Sequence, residues 1–181
     1  MRHNKLALLG VLGLLLVVVA CAPATPVALQ ETESNQPAAD WKTVLLHDAR
    51  TGNAFTISDF KGKPVLVESF AVWCPICLKQ QQQMKKLHDE QGEAVVLVSL
   101  DTDPNEDAEK VKAHLNQNRL DWYFAVAPSE VTKALITEFG VTVVNAPSAP
   151  VILVCPDQSS RLLSTRVKDA EKLQSEIAQG C

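Results

Sequence analysis

The sequence predicts an α/β domain with a mixed central sheet, flanked by helices and preceded by a β-hairpin. Three observations lead to this fold class. From residue 41 onward, apolar runs of strand length alternate with longer amphipathic stretches of helical length. The run from Ala94 to Leu100 is apolar almost throughout, which is typical of a parallel strand covered on both faces. The last two apolar runs are close in sequence and predict a closing antiparallel hairpin, which makes the sheet mixed.

Each element has a local signal. The turn-forming Thr51-Gly52-Asn53 separates the two short strands of the leading hairpin. The run Asp103-Pro104-Asn105-Glu106 offers a helix cap followed by proline at the first helical position. Ser129 caps another helix, which Gly140 ends. The predicted strands are 44–46, 55–57, 64–70, 94–100, 122–126, 151–155 and 161–164, and the predicted helices are 75–91, 103–118, 129–139 and 167–178.

The first 20 residues predict an export signal. Arg2 and Lys5 precede an apolar run at 6–20, which as a helix spans only about 22 Å and is too short for a bilayer core of roughly 30 Å. The run ends in Val18-Val19-Ala20-Cys21, which resembles the lipobox of prokaryotic lipoproteins. That resemblance implies cleavage before Cys21 and a lipid anchor on its sulphur. A plain signal peptide, or an uncleaved anchor with an incidental cysteine, is the alternative.

The next segment predicts a tether. Residues 22–40 are rich in Ala, Pro, Thr, Gln and Glu and hold few large apolar side chains, so we expect them to be disordered. The expected organisation is a lipoprotein-type signal peptide at 1–20, a lipidated cysteine and tether at 21–40, and one domain at 41–181. The domain is then extracytoplasmic and anchored to the cell membrane, in a compartment where disulfides persist.

The charge balance argues against a nucleic-acid partner. The 181-residue chain has 17 basic and 21 acidic residues, for a net charge of −4. Neutralising a phosphate backbone requires a basic surface that this composition does not offer. We expect other proteins as partners, a membrane contact through the lipid, and a monomeric domain.

The strongest chemical signal is the pair Cys74 and Cys77, which follows a predicted strand and opens a predicted helix. A sulphur at a helix N-terminus is stabilised as a thiolate by unpaired N–H groups and by the positive end of the helix dipole. We therefore expect Cys74 to be an exposed nucleophile and Cys77 to be the shielded resolving cysteine one turn later. Such a dithiol is itself the redox centre, so no organic cofactor is expected.

A single Cys-x-x-Cys could also bind zinc or form a structural disulfide, but both roles are less well supported. Zinc prefers four ligands, and the sequence has no second such pair and no paired histidines, so we expect no metal. A purely structural disulfide between such close neighbours closes little chain entropy and stabilises a fold poorly. A redox pair is the favoured interpretation.

The segment from Lys63 to Cys77, KPVLVESFAVWCPIC, resembles the active-site strand and turn of the thioredoxin superfamily. Its closest-looking branch is the membrane-tethered, TlpA/ResA-like group, to which Gly62-Lys63 before the first core strand is also similar. The resemblance covers roughly 44–178 and implies a thioredoxin-like fold. It also implies disulfide exchange with protein partners in the reducing direction, with cytochrome-maturation or metal-site proteins as candidate substrates.

The resemblance implies roles for two residues near the dithiol. The buried acid that thioredoxins carry six residues before the first active-site cysteine corresponds to Glu68. Alternation along the strand points Glu68 beneath the dithiol, where burial would raise its pKa and let it act as the proton shuttle for Cys77. Trp73 would shield the dithiol and offer a flat surface to partners, or alternatively would cap the core.

The superfamily also places a cis-proline opposite the dithiol, just before a core strand. We assign it to Pro150, with Pro147 as the reserve, and the preceding Ala149 would offer main-chain groups to a bound peptide. The chain departs from many relatives in having Gln82 where they have a helix-kinking proline. The polar stretch Gln80 to Gln83 therefore predicts a straighter and more exposed first helix.

The remaining cysteines suggest a second disulfide. Cys155 ends a predicted strand, and Cys181 follows a helix that returns antiparallel to the last strand, so both lie at the same end of the sheet. A Cys155–Cys181 bridge would fix the C-terminal helix. A buried free Cys155 with a frayed Cys181 is the alternative.

Two functions besides that of an oxidoreductase remain open. A copper or other metal chaperone could use Cys74 and Cys77 as soft ligands. Copper carriers of similar fold, however, space their cysteines more widely and add a late histidine, whereas no histidine follows His114 here. A peroxidase of the peroxiredoxin type needs Thr or Ser three residues before its reactive cysteine, where this chain has Ala71.

Overall fold

The computed structural model describes residues 40–181. The predicted signal peptide, Cys21 and most of the predicted tether lie outside the described residues. The strands are β1 (Leu46–His47), β2 (Ala54–Phe55), β3 (Val65–Phe70), β4 (Val96–Asp101), β5 (Tyr123–Val126), β6 (Val151–Val154) and β7 (Ser160–Leu162). The helices are α1 (Pro75–Gln91), α2 (Ala108–Asn118), α3 (Ser129–Phe139) and α4 (Ala170–Gln179).

A five-stranded mixed sheet forms the centre of the domain, in the order β5-β4-β3-β6-β7. Strands β3, β4 and β5 are parallel, whereas β6 and β7 are antiparallel to their neighbours. The β1–β2 hairpin precedes the sheet and pairs Leu46 with Phe55. The predicted α/β class, the mixed sheet and the leading hairpin are therefore confirmed.

The apolar core has two parts, which use alternate residues of β3. Leu66 and Phe70 belong to the cluster that contains the dithiol, with apolar residues from α1, α2 and α4. Val65 and Val67 belong to the other, which is built with α3 and the leading hairpin. All six residues of β3 are buried, as expected of a central strand with helices on both faces.

Two helices begin later than predicted. Helix α2 starts at Ala108, where Asp107 is the cap and accepts from the Lys110 amide, rather than at 103. Helix α4 starts at Ala170, capped by Asp169. Within residues 40–181, no helix has the length and apolarity needed to cross a membrane.

Candidate active site

Cys74 and Cys77 lie where β3 leads into α1. Cys74 is the N-cap of α1, Pro75 occupies the first helical turn, and the two cysteines are joined by a disulfide with their Cα atoms 5.3 Å apart. The amide of Cys77 points at the Cys74 sulphur at 3.2 Å. Proline suits this position because its missing N–H has no helical acceptor to lose. Once the bond is reduced, the same amide and the helix dipole stabilise a thiolate on Cys74.

The disulfide is covered by the core. Cys74 is 2% exposed and Cys77 is 1% exposed, so the prediction of an exposed Cys74 is wrong for the bonded form. Both side chains pack in the apolar cluster with Ala71 and Ala146, and the Cys77 sulphur lies 3.2 Å from the Ala146 carbonyl oxygen. The turn at Ala146 therefore shields the two cysteine side chains, which a helix N-terminus alone would leave exposed to solvent.

Trp73 stands out from this buried pair. Its side chain is 61% exposed, which excludes a core-capping role, and its indole N–H donates to the Asp103 carboxylate at 2.6 Å. One residue earlier, the Val72 amide donates to the Glu106 carboxylate at 2.7 Å. The segment before α2 therefore holds the active-site loop through two carboxylates. From sequence, both acids are expected only at the start of a helix.

A third acid, Asp101, lies buried at the end of β4. Burial raises the pKa of Asp101 to about 7, and the neighbouring carboxyl of Glu106 adds to the rise. Its Oδ1 accepts from the Asp103 amide at 3.0 Å. Asp101 and Glu106 therefore link the active-site loop to the carboxyl end of β4.

Glu68 is fully buried on β3, on the face that carries the dithiol cluster. Ser99 donates to its Oε2 at 2.9 Å, and the indole of Trp122 donates in turn to the Ser99 hydroxyl at 3.1 Å. Burial raises the pKa of Glu68 to about 8, although the Ser99 hydrogen bond lowers it. The carboxyl is mainly protonated at neutral pH and can take up or release a proton in that pH range.

Two glutamines of α1 are buried, so the prediction of an exposed polar stretch is wrong at Gln80 and Gln81. Gln80 forms two hydrogen bonds with the main chain of Lys168, accepting from its amide at 2.8 Å and donating to its carbonyl at 3.1 Å. The Oε1 of Gln81 lies 2.7 Å from the Nε2 of His114. These distant partners let polar side chains occupy the buried face of α1.

Lys168 is a buried cation that no pattern in the sequence indicated. Its Nζ donates to the carbonyl oxygens of Ala149 at 2.8 Å, Ser164 at 2.9 Å and Arg166 at 2.6 Å. Burial lowers the pKa of Lys168 to about 8, and the negative charge available on Glu68 opposes that shift.

Comparisons with known proteins assign the family. A family model described as Redoxin matches residues 19–157. The chain belongs to the Redoxin family. Among solved structures, this Redoxin chain is similar to a secreted Mycobacterium tuberculosis disulfide oxidoreductase homologous to E. coli DsbE, with 16% identity, 78% of this chain and 99% of that chain covered, and a TM-score of 0.61.

Two further relatives extend the comparison. A thiol:disulfide interchange protein of the thioredoxin family from Chlorobium tepidum is 17% identical, with 76% of this chain and 92% of that chain covered and a TM-score of 0.62. An uncharacterized protein of Haemophilus influenzae is 34% identical over 83 residues, which are 44% of this chain and 48% of that protein. The alignment thus spans about half the length of that curated relative.

These findings establish the fold and the family. The structural neighbours share the thioredoxin-like fold, which confirms the fold expected from the Lys63 to Cys77 segment. Redoxin membership agrees with the superfamily expected from the same segment, and together with the Cys74–Cys77 pair it supports the class of thiol–disulfide oxidoreductases.

The cis-proline prediction is wrong. Every peptide bond in residues 40–181 is trans, including those before Pro147 and Pro150. Ala149 instead turns the chain in a left-handed conformation, with φ 49° and ψ 57°. Its amide donates to the Ala146 carbonyl at 2.9 Å and its carbonyl accepts from Lys168. Ala149 and Pro150 are buried, and both main-chain groups of Ala149 have partners within the chain; the peptide-binding role expected of these two residues stays a prediction.

Cys155 and Cys181 form a second disulfide, with their Cα atoms 6.0 Å apart. Arg161 supports the same chain end by donating to the Gly180 carbonyl at 2.8 Å. The sequence left a free Cys155 open as the alternative, and the structure has the bridge. Within residues 40–181, no group of three or more His, Cys, Asp and Glu side chains is arranged to hold a metal ion.

Proposed function

We propose that this Redoxin-family enzyme is an extracytoplasmic oxidoreductase of the TlpA/ResA-like type, anchored by lipid on Cys21, that reduces disulfides of partner proteins. The observation that carries the proposed chemistry is the disulfide-bonded pair at the start of α1, with the Cys77 amide directed at the Cys74 sulphur. The export signal and Cys21 support the location, and the Lys63 to Cys77 segment supports the branch and the direction.

The reductive reaction starts with both cysteines reduced. The Cys74 thiolate attacks one sulphur of the partner disulfide, forming a mixed disulfide, and the other partner sulphur leaves as a thiolate that takes up a proton. The ionised carboxyl of Glu68 then accepts the proton of the Cys77 thiol. The Cys77 thiolate attacks the Cys74 sulphur, which closes the enzyme disulfide and releases the second partner sulphur. Two electrons pass from the enzyme to its partner, so an external dithiol donor must reduce the enzyme again.

The resolving step gives a direct test of the partner. Cys77→Ser should leave a partner covalently bound to Cys74, because no second thiol can displace it. We expect disulfide-linked adducts in the membrane fraction that dithiothreitol releases, and mass spectrometry identifies the proteins. The Cys74→Ser/Cys77→Ser double variant should form none, and Cys21→Ala should move the adducts out of the membrane fraction.

Adducts that persist in the double variant, or their absence from Cys77→Ser under conditions where the wild type reduces a protein disulfide, would contradict the proposal. Stoichiometric Cu(I) binding by the reduced domain, without disulfide exchange, would favour the metal-chaperone alternative instead.

The reduction potential of the Cys74–Cys77 pair tests whether the enzyme reduces or oxidises its partners. Thioredoxin-like pairs range from about −270 mV for reductants to about −120 mV for strong oxidants. We expect a value in the lower half of that range, measured by equilibration with dithiothreitol or glutathione buffers and thiol alkylation. A potential near −120 mV, where the pair accepts electrons from most protein dithiols, would make the enzyme an oxidant.

A further inference from the structure

Lys168 joins two parts of the molecule that are far apart in sequence. Two of the three carbonyls around its ammonium group, those of Ser164 and Arg166, belong to its own segment before α4. The third, that of Ala149, belongs to the turn that precedes β6 and covers the dithiol.

The contacts form a ring that begins and ends on α1. The Cys77 sulphur lies 3.2 Å from the Ala146 carbonyl oxygen, which also accepts from the Ala149 amide at 2.9 Å. The Ala149 carbonyl accepts from Lys168 at 2.8 Å, and the main chain of Lys168 is held at both its amide and its carbonyl by Gln80. Gln80 lies three residues after Cys77 on α1, so the ring returns to the helix that carries the resolving cysteine.

The backbone at Ala149 explains why a strong donor is needed there. A residue with a Cβ atom is strained at φ 49°, and the completely buried carbonyl of Ala149 would have lost its hydration without a partner. A charged ammonium group is a stronger donor than a neutral one and can serve three carbonyls at once. Lys168 therefore stabilises this turn in the conformation that contacts Cys77.

The same ammonium group carries a charge that lowers the pKa of Glu68 and so favours its ionised form. Three side chains lower the pKa of Glu68: Ser99 from β4, Gln81 from α1 and Lys168 from the segment before α4. The ionised groups that act on Lys168 are Glu68 from β3 and Glu176 from α4. A positive charge near a buried carboxyl favours its ionised form, which is the form that accepts a proton from Cys77.

We propose that Lys168 is a positioning residue for disulfide exchange: it acts on Cys77 through the Ala149 carbonyl and on Glu68 through its charge. This inference rests on the proposed reaction at Cys74 and Cys77. It assigns no contact between Lys168 and the substrate.

Two measurements on Lys168→Met and Lys168→Arg test it. The first is the pH midpoint of mixed-disulfide resolution, from single-turnover reduction of a peptide disulfide. Without the cation, the midpoint should rise by about one unit, which makes resolution about tenfold slower below the midpoint. The second is hydrogen exchange at the Ala149 amide of the oxidised enzyme, which should become at least about tenfold faster as the turn loosens.

Lys168→Arg separates the two effects. Its guanidinium group keeps the positive charge, so the pH midpoint should stay near that of the wild type. Because the planar guanidinium cannot donate to the three carbonyls in the same geometry, the Ala149 amide should exchange its hydrogen faster. Lys86→Met is the matched control, because Lys86 is exposed on α1 and its loss changes the net charge equally. It should change neither measurement.

A folded Lys168→Met enzyme would overturn the proposal if the pH midpoint of resolution and the hydrogen exchange of the Ala149 amide were both unchanged. Should that variant not fold, Lys168→Arg decides. A pH midpoint raised by about one unit, or hydrogen exchange at the Ala149 amide equal to that of the wild type, overturns the proposal. A wild-type enzyme that exchanges no disulfide with any peptide would refute the proposed function instead, while the exchange of the Ala149 amide would still test the role of Lys168 in the turn.

Discussion

At the scale of single residues, the central question is how a proton leaves Cys77. Glu68 is completely buried on the sheet face that carries the dithiol and accepts a hydrogen bond from Ser99. Burial raises its pKa to about 8. Its Oε1 and the Nε2 of Gln81 have no partner at hydrogen-bond distance among residues 40–181. This oxygen is the site at which the Glu68 carboxylate can take up a proton during the reaction.

Glu68→Gln tests this role. Glutamine keeps the size and the Ser99 contact but cannot accept the proton, so resolution by Cys77 should slow by about 100-fold, whereas the first attack by Cys74 should change little. Stopped-flow Trp fluorescence with acid quenching separates the two steps. Glu109→Gln, an exposed acid on α2, serves as the control. Equal slowing of both steps would point to a change of structure rather than of proton transfer.

The sequence contains the signal for some of these residues. The position of Glu68 follows from the two-residue alternation of β3, which places it with Leu66 and Phe70. Gln80 and Gln81 could also have been placed, because they fall at helical spacing between the buried Cys77 and Met84. Their composition, and not their periodicity, led to the wrong prediction of exposure.

At the scale of elements, the loop that leads into α1 is held in place by side chains of the segment before α2. Asp103 and Glu106 bind the loop before α1 through Trp73 and the Val72 amide. The composition of the run from Asp103 to Glu106 fits a helix cap and predicts the start of a helix there. In the structure these side chains bind a loop some 30 residues away, and Asp107 caps α2 instead. Local pattern alone does not distinguish a capping carboxylate from one with a distant partner.

The second disulfide stabilises an element far from the chemistry. Val65 pairs with Val154 and Glu68 pairs with Val151, so Cys155 lies at the end of the sheet opposite to the dithiol. The bond spans 26 residues and ties the end of α4 to β6. A loop of that length lowers the entropy of the unfolded chain by an amount equivalent to about 3.5 kcal/mol.

Cys181→Ser should therefore lower the free energy of unfolding by about 2 to 4 kcal/mol and leave the reduction potential of the Cys74–Cys77 pair unchanged. Urea unfolding monitored by circular dichroism gives the first quantity, and thiol alkylation in redox buffers gives the second. Ser175→Ala, an exposed position on α4, is the control for a small change in the same helix. A displaced potential would show that the two disulfides are coupled.

At the scale of the whole molecule, the order of strands and helices could be predicted, whereas the contacts between distant segments could not. The alternation of apolar runs was enough for the mixed sheet and its flanking helices. The Lys168 site joins two carbonyls of its own segment to the carbonyl of Ala149 and the side chain of Gln80, which lie 19 and 88 residues away in sequence. Ala149 is in a left-handed conformation before the trans bond to Pro150, and no sequence pattern indicated that conformation.

Glu68 and Lys168 also make the stability of the protein depend on pH. The pKa of Glu68 is raised from 4.5 to about 8, so the folded state holds a proton that the unfolded state has lost between these values. The free energy of unfolding then falls as the pH rises through that window. The pKa of Lys168 is lowered from 10.5 to about 8, so the folded state has lost a proton that the unfolded state still holds above pH 8. Stability then rises again with pH.

The two contributions predict a stability minimum near pH 8. Urea unfolding of the oxidised protein between pH 5 and 10 should show the free energy of unfolding fall up to pH 8, with at most about 4 kcal/mol of that fall from Glu68, and then recover. Asp101, whose pKa is raised by burial to about 7, adds to the fall below pH 7. In Glu68→Gln the remaining fall should therefore be smaller and end near pH 7, whereas Lys168→Met should lose the recovery. A wild-type profile that is flat from pH 5 to 8, or that rises there, would mean that Glu68 ionises as easily in the folded protein as in water, and the proton shuttle would lose its physical basis.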